Sequence, residues 1–205
     1  MRALRPDSGL SHALRQFADA VVVNVLLVVC SLPVITVGAA LVAAHRVMLD
    51  AVDEVDGHAG RRFLRAFASH WRPATVVWLG GAAVGALLAW EYGVLGSWPS
   101  SAGVLVAQAL VVTGLLCLAL WGAWVFPLVA VGHGAKRAAA LAGRLAIARL
   151  PRSAVAVAVA ALPVVLVVAL PRPLTFVVPL LTVVGLALVV FLVDVLVAPH
   201  LPRPA

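Results

Sequence analysis

The chain has 205 residues, of which 64% are hydrophobic and only 11% charged, with a mean hydropathy of +1.12 and a net charge of +7. A water-soluble domain is nearer half apolar and a quarter charged, so too few charges remain here to cover a solvated surface. The basic excess is almost all arginine and sits in short segments between apolar runs, where it orients spans and meets headgroups; this pattern excludes a nucleic-acid reader, which needs a continuous basic face.

A helix needs about 20 apolar residues to cross a hydrocarbon core of about 30 Å. Five stretches qualify, at 20–44, 74–95, 103–131, 153–170 and 174–198. The predicted fold class is therefore all-α: a single polytopic transmembrane helix bundle of about five spans with interfacial amphipathic helices. The first stretch is read as an uncut span, because Asp7 and Asp19 interrupt its basic leader and its apolar run outlasts a signal core. Pro33, Thr36 and Gly38 lie in its middle. Pro33 removes a backbone hydrogen bond, which predicts a kink or a partly re-entrant helix with Asn24 and Thr36 facing the interior.

Between the first two spans, Arg62, Arg65, Ser69 and Arg72 share one helical face, while Phe63, Phe67 and Trp71 share the opposite one. That is the pattern of a basic helix lying in the interface, and Arg62, Arg65 and Arg72 are its candidate docking residues. In the second span Gly81 and Gly85 form a GxxxG pair, read as close helix packing within the chain. Trp71 and Tyr92 bracket this span about 31 Å apart, close to the hydrocarbon thickness. The stretch 135–150 is a weaker amphipathic helix, with Leu141 and Leu145 opposed by Arg137 and Arg144. Pro171-Arg172-Pro173 forces the last two spans into an antiparallel hairpin. Asp194 falls about 30 Å along the fifth span and is read as an interfacial carboxylate, hydrated or paired with a nearby arginine.

With five spans, eleven positive residues fall on one side and four (Arg2, Arg5, Arg15, Arg172) on the other. The positive-inside rule then places the N-terminus outside and the C-terminus in the cytoplasm. Cys30 and Cys117 lie in apolar runs and are expected to be small core residues. No nucleophile–base set, phosphate loop or metal-ligand spacing is present, so no catalytic, cofactor-binding or metal-binding residue is assigned and no enzyme is expected. Asn24, Thr36, Gln108, Thr113 and Thr182 are the polar residues that punctuate the spans, too few and too scattered for a sugar site.

Asn24, the run Cys30-Ser31-Leu32-Pro33-Val34-Ile35-Thr36-Val37-Gly38-Ala39-Ala40, and Phe63-Leu64-Arg65-Ala66-Phe67 before Trp71 resemble the YesL family of bacterial integral membrane proteins (domain of unknown function 624). Arg144-Leu145-Ala146-Ile147-Ala148-Arg149-Leu150-Pro151-Arg152 is similar to the family's segment before its fourth span. Relatives commonly carry a tryptophan a few residues after the asparagine, where this chain has Val28. The resemblance implies no established chemistry. It does imply company, since relatives are often encoded beside sugar-uptake transporters and carbohydrate-degrading enzymes. The expected partners are therefore the lipid bilayer and a sugar-transporter permease, with a small transporter or channel as the alternative function and the bacterial cell membrane as the location.

Overall fold

The computed structural model describes residues 9–53, 58–169 and 185–202. Among these residues it contains seven α-helices and no strand: α1 Gly9–Ser31, α2 Val37–Val52, α3 Ala59–Gly96, α4 Ala102–Ala130, α5 Ala135–Ala148, α6 Leu150–Ala169 and α7 Leu186–Val197. Four stretches are long and apolar enough to cross a membrane, namely Val34–Val52, Ala59–Gly96, Ala102–Ala130 and Leu150–Val167. This is a membrane protein with an all-α bundle, as the composition requires.

The first predicted span, 20–44, is not one helix. It breaks at Leu32-Pro33 and restarts through a 3-10 turn at Val34–Thr36. Two contacts to α7 show that the chain also reverses. Asn24 on α1 reaches Ala187, and His45 on α2 reaches Asp194. Ala187 and Asp194 are about 10 Å apart along α7, whereas Asn24 and His45 would be about 31 Å apart on a continuous helix. Folding back at Pro33 removes that difference, and it brings Val23 and Leu27 against Ala40, Ala43, Ala44 and Val47. The expected kink is a full helical hairpin, α1–α2, whose apex residues Leu32, Val34 and Ile35 are exposed.

The predicted basic helix and second span are likewise one element. Helix α3 runs 38 residues, about 57 Å, straight through Pro73. It pairs antiparallel with α4: Gly81 lies against Trp121, Gly85 against Leu118 and Gly114 against Leu88. The GxxxG pair thus packs within the chain, since a Cβ at Gly85 would sit 3.3 Å from Leu118 Cδ2.

The α1–α2 hairpin covers only the first half of α3, up to Trp78. The result is two unequal tiers. One holds α1, α2, the beginning of α3, the end of α4, α5, the beginning of α6, and α7; nearly every buried residue lies there. The other is an arm formed by α3 beyond Trp78 and α4 before Trp124, in which Val111 is the one buried residue. All eleven lysine and arginine residues among those described belong to the packed tier. The third predicted span agrees with α4 and the fourth with α6, while the fifth is described only from Gly185 onward; the Pro171-Arg172-Pro173 turn and Thr182 lie outside the described residues.

Candidate functional site

The hairpin is pinned to α3 by the motif that stood out in the sequence. Pro33 and the turn after it leave carbonyls without helical partners. The Thr36 hydroxyl lies 2.6 Å from the Cys30 carbonyl and 2.8 Å from the Pro33 carbonyl, and Trp78 Nε1–H donates to the Val34 carbonyl at 2.8 Å. Gly38 is where the backbones touch. A Cβ there would fall 2.6 Å from the Ala74 carbonyl oxygen and closer still to the Trp78 side chain, so no larger residue fits without moving α2 off α3. Pro33, Thr36 and Gly38 therefore act together, at the apex of the hairpin. Asn24 lies elsewhere: fully buried, its Oδ1 accepts from the Ala187 backbone N–H at 2.7 Å and ties α1 to the start of α7.

Asp194 departs from the expectation. It is fully buried, and its Oδ1 accepts from His45 Nδ1–H at 2.8 Å. It is neither hydrated nor paired with an arginine. The reversal of α1–α2 is the cause, because it carries His45, which a continuous first span would leave at a membrane boundary, against the last helix. A carboxylate without water needs a hydrogen-bonding partner, and the imidazole supplies one. The second Asp194 oxygen, Oδ2, is buried without a partner among the described residues.

His45 also lines a half-open cavity of about 620 Å³ between the hairpin, α4, α6 and α7. Its walls are apolar except for His45 and Ser31. The four sides agree on its orientation. From Val37 to His45, Ala119 to Phe126, Val164 to Val157 and Leu186 to Val193, each helix descends by about 10–12 Å from the hairpin apex to the His45–Asp194 pair. The cavity is a shaft with a polar floor. A third buried polar contact lies beside it, where Trp124 Nε1–H donates to Ser153 Oγ at 2.8 Å and the serine hydroxyl is 3.1 Å from the Ala146 carbonyl, joining α4, α5 and α6.

The predicted docking arginines separate. Arg62 turns inward, its side chain 18% exposed, and pairs with Asp50 at 3.6 Å, while Asp50 also meets Arg46 at 3.3 Å. It belongs to the α2–α3 joint and not to the docking face. Arg65 and Arg72 remain exposed, and the Arg72 guanidinium lies 5.5 Å from the Trp71 ring centroid. Helix α5 buries Ala138, Ala142 and Ala146 against α4, a tighter stripe than the leucines expected, and leaves Lys136, Arg137 and Arg144 outward. Cys117 faces outward on α4 and is not a core residue, whereas Cys30 is half-buried.

Sequence reasoning missed the pairing of His45 with Asp194. The one available signal was an ionisable residue at the end of the first apolar run, together with a second, Asp194, inside the last. No curated protein and no solved structure matches the chain significantly. Residues 20–92, which span the hairpin, the α2–α3 joint and most of α3, match the family model described as "Protein of unknown function, DUF624", in agreement with the resemblance drawn from the Asn24 and Pro33–Gly38 motifs.

Proposed function

We infer that the protein is a non-enzymatic accessory subunit of the bacterial cell membrane that binds the permease of a carbohydrate-uptake system. The observation that carries this reading is the bare α3–α4 arm. The helices of the packed tier expose apolar residues on one side and bury them on the other, whereas on the arm Val84, Leu87, Trp90, Leu105, Val106 and Leu110 all stay at least half exposed and only Val111, among the described residues, is buried. A second helical protein in the bilayer finds there a long, weakly covered surface with small residues for close approach. The polar groups of the packed tier, by contrast, are largely consumed in joining helices of this chain, and the shaft offers a polar solute too few hydrogen-bonding groups. The carbohydrate-uptake assignment rests on the family resemblance and its usual gene neighbours.

The fold-back also supports a revised orientation. Val34–Val52 is long enough to span, but it lies along the part of α3 that carries Arg61, Arg62, Arg65 and Arg72, which does not belong in hydrocarbon. The α1–α2 hairpin is then re-entrant and shallow, entering and leaving by the basic face, while α3, α4, α6 and the predicted fifth span, of which α7 is the described part, cross. Both termini fall on the cytoplasmic side, and Arg15 joins the other described positive residues there instead of opposing them.

Gly80 and Gly93 sit on the arm with nothing within 4 Å of an added Cβ, so leucine at either position is accommodated in the isolated protein. Crosslinking in native membranes is expected to recover a sugar permease with the unmodified chain, and to lose it with Gly80→Leu plus Gly93→Leu. Sugar flux through liposomes holding this protein alone would overturn the accessory reading in favour of a transporter.

A further inference from the structure

The shaft beneath the hairpin apex carries an inference independent of the arm and its partner. Its volume, about 620 Å³, falls in the 300–1,000 Å³ range of ligand sites. It is more than a gap between helices, because its one strongly polar wall is built. His45 is 7% exposed, and its Nδ1 is committed to the fully buried Asp194. With Nδ1–H donating to the carboxylate, Nε2 is the ring nitrogen left to face the shaft, and it has no partner among the described residues. The floor thus holds one nitrogen open to a hydrogen bond. A complementary molecule brings a hydroxyl, which can donate or accept, to His45 and an apolar chain to walls such as Leu41, Ala123, Val157, Ala161 and Val190. The axis fits as well. The hydroxyl end lies toward the basic face and the chain runs toward the apex, which is how an inner-leaflet amphiphile stands in a bilayer.

We propose that the shaft between the α1–α2 hairpin, α4, α6 and α7 binds a single-chain membrane amphiphile with a hydroxyl head, the hydroxyl hydrogen-bonded to His45 Nε2 and the chain lying along the apolar walls. Gly122 lines the shaft with nothing within 4 Å of an added Cβ, so Gly122→Leu fills the space without disturbing the polar pair.

The test uses the full chain in phosphatidylcholine liposomes with three photoactivatable probes carrying the same chain diazirine: hexadecanol, hexadecane and a phosphatidylcholine. Hexadecanol is expected to label 119–126 and 157–164 saturably, to be displaced by unlabelled hexadecanol, and to lose this labelling in Gly122→Leu. Its preference over hexadecane should be about three- to tenfold, the size of one buried hydrogen bond, and should vanish in the His45→Leu/Asp194→Leu double variant, which leaves no orphan charge. Size-exclusion profiles confirm that the variants are folded, and Ala160→Leu, at another lining position, replaces Gly122→Leu if that variant aggregates. Non-saturable labelling, equal labelling by the alkane, labelling unchanged by filling the shaft, or labelling by the phosphatidylcholine in place of hexadecanol would each overturn the proposal, since each describes ordinary bilayer contact.

Discussion

The two ends of the α3–α4 pair use the same kind of residue for opposite purposes. Leu128 and Val125, near the end of α4, are fully buried among α2, α5, α6 and α7, whereas Leu110 and Val106 on the same helix are 68% and 61% exposed. Hydropathy cannot tell them apart, because lipid and protein interior are almost equally apolar. What separates them is whether other helices of the chain reach that depth. The hairpin ends at Trp78, and the arm begins there. In a bilayer, burial by protein adds no hydrophobic driving force over burial by lipid, so the packed tier must be held by close packing and by polar contacts. The contacts His45–Asp194, Asn24–Ala187, Trp124–Ser153 and Trp78–Val34 lie in the packed tier and join elements distant in sequence.

Substitutions in the two tiers should therefore diverge. The largest effect is expected for His45→Leu, which strands the buried Asp194 carboxylate and should cost about 3–5 kcal/mol in unfolding from detergent. The double His45→Leu/Asp194→Leu variant should regain most of that loss; a double variant as unstable as the single one would mean that packing, and not charge, explains the effect. Leu128→Ala should follow, at about 2–4 kcal/mol, because the hole it leaves opens in a filled core. Asn24→Ala should cost about 1–3 kcal/mol by leaving the buried Ala187 N–H unsatisfied, read as earlier hydrogen exchange at the start of α7. The smallest effect is expected at Leu110→Ala, within about 0.5 kcal/mol, because a surrounding apolar solvent refills the space. A Leu110→Ala loss as large as that of Leu128→Ala in native membranes, but not in detergent, would show that protein covers the arm there.

The sequence revealed the spans, the α3–α4 glycine contacts and the Pro33–Gly38 motif for physical reasons. Apolar length, small-residue spacing and a missing N–H are local properties. It did not reveal direction. Hydropathy across 20–44 is the same for a straight helix and a reversed one, and Pro33 alone signals a break without its angle. Without the reversal, His45 stays at a boundary and Asp194 has no partner, because that partner lies 149 positions away. Arg62 failed for a related reason. Its helical face was right, but Asp50 becomes its neighbour only when α2 returns alongside α3.

The reversal at Pro33 is the claim on which the shaft, the buried pair and the orientation all depend, and side-specific labelling tests it most directly. In a chain with Cys30→Ala and Cys117→Ala, single cysteines are placed by Ser11→Cys at the start of α1, Ser69→Cys on the basic part of α3 and Ser101→Cys between α3 and α4. An impermeant maleimide applied to right-side-out and inverted vesicles should report the first two on the same, cytoplasmic side and the third on the opposite side. Labelling of position 11 together with position 101, and apart from position 69, would mean that residues 20–44 cross the membrane once, and would contradict the hairpin.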